Sequence, residues 1–445
     1  IEDYIAEHQD YMPSVLNAIG KPKGTFDQGC PHVHAIRGRV ATVIGAKSVD
    51  PVANGDITTP LRHDMLLAWA SATNDPATLI LRWLSEGAPS GITQHIPNIG
   101  VFPEKDDEAT CTLEELLDTQ EAADTNYTSL EDDPDADSIM AEIMDPSKRW
   151  VKTFASKKEV VAFVGGEPVV SQLGLVIKHK RDAAGQITAT KKRVILDCKR
   201  SRANELAMAR QRILLPRPSH PVDDVLKLMR VLRVMRRRIQ DKKPKHTNIT
   251  EVDVELFIAD FIDAYWAIPL HPTERRFQVA RWRGTWIVLL RTGQGTKTSS
   301  LTWGLVSALC GRLGQSLYKS WELLMQIYTD DPIGAVVGTQ FDRDLRISTM
   351  LSLWMALGLG VAFHKATRGK DVIWIGARYL LGHEQLTVSI TPDLIDELTH
   401  TIGNMLDLNA VKISDVRRLA GQANHVAGLV FAWRPFLKSF WAALK

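Results

Sequence analysis

The chain has 445 residues, 44% of them hydrophobic and 24% charged, with a formal net charge of +2 at pH 7. That is apolar material for two or more cored domains, and no apolar run approaches the roughly 18 to 20 residues of a bilayer span, so a soluble protein is expected. Four widely spaced cysteines (Cys30, Cys111, Cys198, Cys310) without a CxxC pair exclude a disulfide scaffold or zinc ribbon and fit a reducing, intracellular setting, cytoplasm or nucleus rather than secretion.

The small net charge conceals an asymmetry. Between Glu104 and Asp145 stand 16 acidic residues and one basic, Lys105, which leaves 53 basic and 36 acidic residues elsewhere. A basic body of this kind expects a polyanionic partner, nucleic acid first, although an ordinary solvated surface accounts for the charge equally well.

Residues 1–103 read as a mostly helical region of unknown role. Within it, Met65 to Gly87 shows helical apolar spacing broken at Asn74-Asp75-Pro76. Residues 104–145, acidic and poor in large apolar side chains, read as a disordered linker. Two β-rich runs between Val169 and Arg200 flank the turn signal DAAGQ and predict a hairpin. Val225, Leu228, Leu232, Met235 and Ile239 recur at helical intervals, with Lys227, Arg230, Arg233, Arg237 and Arg238 on the other side as a solvated face. The strand-like VDVELFIADFIDAY follows, then a hairpin turning at Arg283-Gly284. A helix over 298–320, a hairpin around Tyr328-Thr329-Asp330-Asp331, a helix over 345–360, the strand VIWIGARYLL and three terminal helices complete the chain. The order strand, helix, hairpin, helix, strand predicts a split βαβ antiparallel sheet with two helices on one face.

Adjacent aspartates between apolar strands repel each other unless a cation or water sits against them. In a split βαβ sheet the first strand lies beside the central hairpin, so Asp260 can face Asp330 and Asp331. Three converging carboxylates suit a hard cation such as Mg²⁺, and two such ions suit in-line phosphoryl displacement. CPHVH (Cys30 to His34) lacks a second ligand pair at finger spacing and reads as a loop with incidental histidines, and SEGAPSG (Ser85 to Gly91) lacks the Gly-Lys-Ser/Thr of a phosphate loop. Trp282 and Trp286 are candidates for stacking on template bases or for core positions.

In ordered blocks, residues 165 to 445 resemble the reverse transcriptases, RNA-directed DNA polymerases of retroviruses and retrotransposons. ADFIDAYWAIPLHP and YTDD resemble the family's catalytic blocks, which implies Asp260, Asp330 and Asp331 as catalytic residues and ligands of two Mg²⁺ ions, with Mn²⁺ as the alternative. The resemblance implies that Asp263, Ala264 and Tyr265 lie under the incoming nucleotide, with the Tyr265 ring excluding a 2′-hydroxyl. KKRVILDCKRSRAN implies that Arg193 clamps the triphosphate, with Lys191 and Lys192 as helpers. GQGTKTSS places Gln294 and Gly295 against nucleotide and template, although Ser300 stands where the family usually has proline. LGLGVAFHKA puts Lys365 near the leaving pyrophosphate, and Trp374, Ile375 and Gly376 match the primer grip.

The implied fold is α+β, a right-hand polymerase: fingers over 146–250, palm over 251–385 with a fingers hairpin at 277–292, and the start of the thumb over 386–445. The implied partners are an RNA or DNA template with primer and deoxynucleoside triphosphates, and no membrane. With no Asp-Thr-Gly or Asp-Ser-Gly protease string and no zinc knuckle, the chain reads as an excised piece of a retroelement polyprotein or a degenerate copy. An RNA-dependent RNA polymerase and an inactive, polymerase-derived nucleic-acid-binding protein are the alternatives.

Overall fold

The computed structural model describes residues 1–118, 125–181, 187–242 and 252–444. At its centre lies a four-stranded antiparallel sheet in the spatial order Thr367–Gly369, Asp253–Ile258, Asp331–Gly338, Leu323–Tyr328. The helix Ser299–Ser316 leads from the first strand to the hairpin, and Gln340–Ala356 leads from the hairpin to the last strand. That is the split βαβ order, with one correction. The closing strand is Thr367–Gly369, whereas VIWIGARYLL folds into Asp371–Trp374 and Ala377–Leu381, two strands of a separate sheet completed by Leu386–Ile390. Ile375 and Gly376 both take positive φ (41° and 78°), which makes the tight turn that a continuous strand reading overlooks.

Both faces of the central sheet are buried, which explains its near-continuous apolar strands. Val254, Leu256, Ile258, Ile333, Ala335 and Val337 join Val225, Leu228, Met229 and Leu232 of the helix His220–Lys242 in one core. Phe257 and Val336 point the other way, into Leu305, Leu309, Met350 and Trp354 of the two connecting helices. Gly334 pairs with Phe257, and a Cβ there would lie 2.2 Å from the Phe257 ring, so only glycine lets that ring lie across the strand.

The main regular elements of the N-terminal region are the helices Glu2–Glu7, Tyr11–Ala18, Pro31–Ile44 and His63–Ala72. Asp75 stops the last of these by accepting from the Ala77 amide at 2.9 Å to open a 3₁₀ turn. Its core is continuous with that of the connecting helices. Tyr11, Val15, Val33 and Ile36 are buried against the helix Gln340–Ala356, and the Tyr11 hydroxyl hydrogen-bonds Ser352 Oγ at 2.9 Å. CPHVH is the start of a helix rather than a loop, because Pro31 occupies its first turn and pre-sets φ.

Strands Leu173–Arg181 and Ile187–Leu196 form the expected hairpin, although its DAAGQ turn lies outside the described residues. Val279–Trp282 and Thr285–Leu289 turn at Arg283-Gly284, both at positive φ, and Val151–Phe154 adds a third strand. The acidic span is not a linker where it is described. Leu113–Asp118, Thr128–Glu131 and Ala136–Ile143 are helices that bury Leu116, Leu130, Ala136 and Met140 against Leu173, Leu196, Trp282 and Leu289. Composition registered the charge. It did not register that a few well-spaced apolar residues suffice when the aspartates find cations: Asp133 and Asp135 both meet Lys192 at 2.6 Å, and Asp137 meets Arg283 at 2.9 Å. Three helices, Pro392–Leu406, Ile413–Val426 and Arg434–Ala443, follow at the C-terminal end. Among the described residues no helix is long and apolar enough to cross a membrane.

Glu255 ties the edge of the sheet to the helix behind it, accepting from Arg343 Nε at 3.1 Å and from Arg368 Nε and Nη2 at 2.7 and 2.8 Å, while buried. Without it, among the described residues, Arg343 keeps only Gly338 O and Gln340 Oε1, and Arg368 keeps Asp344. Glu255→Ala is expected to lower stability by about 1–3 kcal/mol, read as a lower urea midpoint in equilibrium unfolding.

Candidate functional site

The strand Asp253–Ile258 does not stop pairing at its end. Ala259 N donates to Pro332 O at 3.1 Å and Phe261 N to Asp330 O at 2.9 Å, while on the other side Ala362 N donates to Asp260 O at 2.8 Å. Asp260 is thereby held between the hairpin turn and the segment 360–363. Thr329 opens the turn at φ 59°, a left-handed conformation costly for a β-branched residue, and its carbonyl accepts from Trp303 Nε1 at 2.9 Å and Ser307 Oγ at 2.8 Å. Asp263 also has positive φ, 52°. Strain of about 1–3 kcal/mol at such positions persists where the surroundings over-determine it, and two of the seven non-glycine cases among the described residues sit beside these acids.

Asp260, Asp330 and Asp331 line one cleft of about 750 Å³. Desolvation, then the charges of Asp330 and Asp260 and a hydrogen bond with Asp260, push the Asp331 carboxyl up to about 7. Burial and the Asp260 charge raise Asp330 as well, and burial raises Asp263. Lys365 Nζ contacts Asp260 Oδ1 at 2.6 Å and supplies the nearest positive charge. Burial lowers the Lys191 ammonium, with Arg193 and Lys365 adding to the effect.

Of the other residues that the sequence singles out, Arg193, Asp263, Ala264, Tyr265, Gln294 and Lys365 line the same cleft, as do Lys191 and Lys192. Arg193 has no ion-pair partner among the described residues, whereas Lys192 is held by Asp133 and Asp135. Tyr265 is half-buried, its carbonyl accepting from Thr292 Oγ1 at 2.7 Å. Gly295 is not part of the lining. At φ 115° its α-carbon abuts the hairpin strand, where a Cβ would lie 1.9 Å from Leu196 O, and Leu196 N donates to Gln294 O at 3.0 Å. It positions Gln294. Trp374 is buried and does not line the cleft; its Nε1 donates to Asp331 O at 2.9 Å. Ile375 and Gly376 form the adjoining turn, the Ile375 carbonyl accepting from His425 Nε2 at 2.6 Å.

Sequence reasoning missed Trp303 and Ser307, whose role needs the helix packed under the turn. It also missed Trp150 and Trp266, stacked at 4.8 Å on the cleft wall, and the N-terminal segment 22–28. The tryptophans it did name fall elsewhere: Trp282 is buried in the core, and Trp286 packs against Phe154, Val160 and the Arg281 guanidinium.

Among the described residues no group of three His, Cys, Asp or Glu side chains is placed to hold a metal ion. The three acids are nevertheless the right kind of donor, and Asp260 and Asp331 are within hydrogen-bonding reach of each other. Mg²⁺ keeps several waters and takes one or two carboxylates plus substrate phosphates, so the residues fit a cation bound together with its substrate rather than in a closed protein cage.

No protein-family model and no curated protein matches the chain. Among solved structures it is similar to a foamy viral protease-reverse transcriptase in complex with double-stranded DNA, at 12% identity and a TM-score of 0.42, covering 96% of this chain and 58% of that one. A foamy viral protease-reverse transcriptase in complex with an RNA/DNA hybrid gives 14% identity and a TM-score of 0.41, covering 92% and 42%. The chain thus spans about half the length of these proteins.

Because Asp331 keeps its proton in the folded chain at pH values where an unfolded aspartate, at 3.8, releases it, its contribution to stability falls as pH rises from 3.8 to about 7. In chelator-treated protein, Asp331→Asn is expected to melt higher than the parent at about pH 8, with the gain vanishing below 3.8. A gain that stayed constant across a pH series of melting curves would contradict this.

Proposed function

We propose that this chain is a template-directed nucleotidyltransferase, an RNA-directed DNA polymerase of the retroelement type. The observation that carries the reading is the convergence of Asp260, Asp330 and Asp331 in one cleft whose walls also hold Arg193, Tyr265, Gln294 and Lys365. The ordered sequence blocks supply those same residues.

In this reading Asp260 and Asp331, with Asp330 beside them, would hold two Mg²⁺ ions, which when bound would neutralise phosphate charge and favour an ionised primer hydroxyl. Arg193, which has no ion-pair partner among the described residues, grips the triphosphate by bidentate hydrogen bonds from its guanidinium. The Tyr265 ring lies beneath the sugar and leaves no room for a 2′-hydroxyl. The primer 3′-oxygen forms a bond to the α-phosphorus as the bond to pyrophosphate breaks, and Lys365, released from Asp260, offsets the charge that develops on the leaving group. Trp303, Ser307 and Trp374 contribute by fixing the turn, so the acids need no reorganisation during the reaction.

A second reading has one observation in its favour. The 2.6 Å contact of Lys365 with Asp260 satisfies an acid that catalysis needs free. A chain that kept this contact would bind primer and template without extending them.

Primer extension by the purified chain separates the two readings. Asp330→Asn is expected to lower incorporation by on the order of a hundredfold or more while leaving primer-template binding intact. Equal incorporation by parent and variant would end the catalytic reading, and binding without incorporation by either would select the second. Deoxynucleotides are expected to be used in preference to ribonucleotides, and Tyr265→Ala is expected to narrow that preference in parallel single-nucleotide assays. Preference for ribonucleotides by the parent would overturn the sugar-gate assignment.

A further inference from the structure

The N-terminal loop between Gly20 and Gln28 reaches the same cleft as the three acids. Gly20 N donates to Phe363 O at 2.8 Å. At its other end the Gln28 side chain grips the backbone of a single residue, accepting from Val361 N at 2.9 Å and donating to Val361 O at 2.7 Å. The Phe26 and Phe363 rings pack at 5.2 Å. The loop is therefore fastened at both ends to segment 361–363, the segment whose Ala362 amide holds the Asp260 carbonyl.

Between those fastenings the chain makes a tight turn. Thr25 N and Oγ1 both donate to Pro22 O, at 3.3 and 2.8 Å, and Gly24 takes φ 86° with nothing near its missing Cβ. Pro22, Lys23, Gly24 and Thr25 line the cleft that Lys191 and Arg193 also line. Lys23 is exposed and has no hydrogen-bond or ion-pair partner among the described residues, while its charge works against the rise in the Asp263 carboxyl. An ammonium on an anchored loop that lines the cleft of the three acids has a chemical use. Flexible, compact and carrying three donors, it suits the outer phosphates of a polyphosphate.

We propose that the loop 22–28 is a wall of the nucleotide site and that Lys23 binds the polyphosphate of the incoming nucleotide, opposite Arg193. This rests on the polymerase reading for the identity of the nucleotide, but not for the binding of polyphosphate. The test is calorimetric titration of the full chain with inorganic tripolyphosphate. Lys23→Ala is expected to weaken binding about tenfold, in keeping with the loss of one charge-assisted hydrogen bond, and Arg193→Ala at least as much. Lys47→Ala, an exposed N-terminal lysine away from the cleft, is expected to bind as the parent does.

Where the parent extends primers, Lys23→Ala is expected to raise the KM for deoxynucleotides with kcat unchanged. Unaltered tripolyphosphate affinity in Lys23→Ala, or no binding by the parent, overturns the loop assignment while leaving the polymerase reading to its own test. Binding lost in Lys23→Ala in a chain that extends no primer upholds the loop assignment and removes the polymerase reading.

Discussion

Mutual repulsion of three carboxylates in a half-buried cleft is the constraint that the rest of this structure serves. Asp331 has a hydrogen bond with Asp260, and Asp260 an ion pair with Lys365, but burial denies the three acids most of the water that would screen their charges. Left to themselves they would splay apart or draw the turn into solvent. Backbone bonds from Phe261 to Asp330 and from Ala362 to Asp260 prevent the first, and the Trp303, Ser307 and Trp374 donors prevent the second. The unfavourable electrostatics are thus stored in the fold and available to a bound cation, while Lys365 holds part of the field in check.

Such a site needs a stiff platform. The central sheet is buried on both faces, by the connecting helices on one side and by the helix His220–Lys242 with the neighbouring small sheet on the other. The N-terminal region thickens the first layer, with Tyr11 and Arg37 bonded to the helix Gln340–Ala356 at Ser352 and Ala356. The cleft consequently has walls from stretches distant in sequence, among them the loop 22–28, the acidic helix Ala136–Ile143, the hairpin strand Ile187–Leu196, residues 260–266, the turn 328–331 and the segment 361–365.

Much of this was legible beforehand. Alternation and helical spacing located the strand with Asp260, the hairpin with Asp330 and Asp331 and the helix His220–Lys242, because periods of two and 3.6 are written directly into side-chain type. What local periodicity leaves out shares a cause. The acidic span was read from its charge, and its helices depend on partners such as Lys192 that are remote in sequence. Trp374 was assigned to a primer, yet its indole turns inward to Asp331 O, a contact that exists only once two hairpins meet. Gly295 was assigned to the nucleotide, and its lack of a side chain is used against Leu196 O.

The sequence by itself determined the order of elements, the residue types of the acidic cluster and the sheet topology that brings them near one another, since these follow from local periodicity and short-range turn chemistry. Tertiary structure alone decided which charges are free and which are satisfied. Lys192 is paired while Arg193 and Lys23 have no ion-pair partner among the described residues, and Asp331 is raised by burial, by Asp330 beside it and by Asp260, which is remote in sequence. Charge satisfaction depends on distance and burial, and neither is a property of any residue until the chain has closed around it.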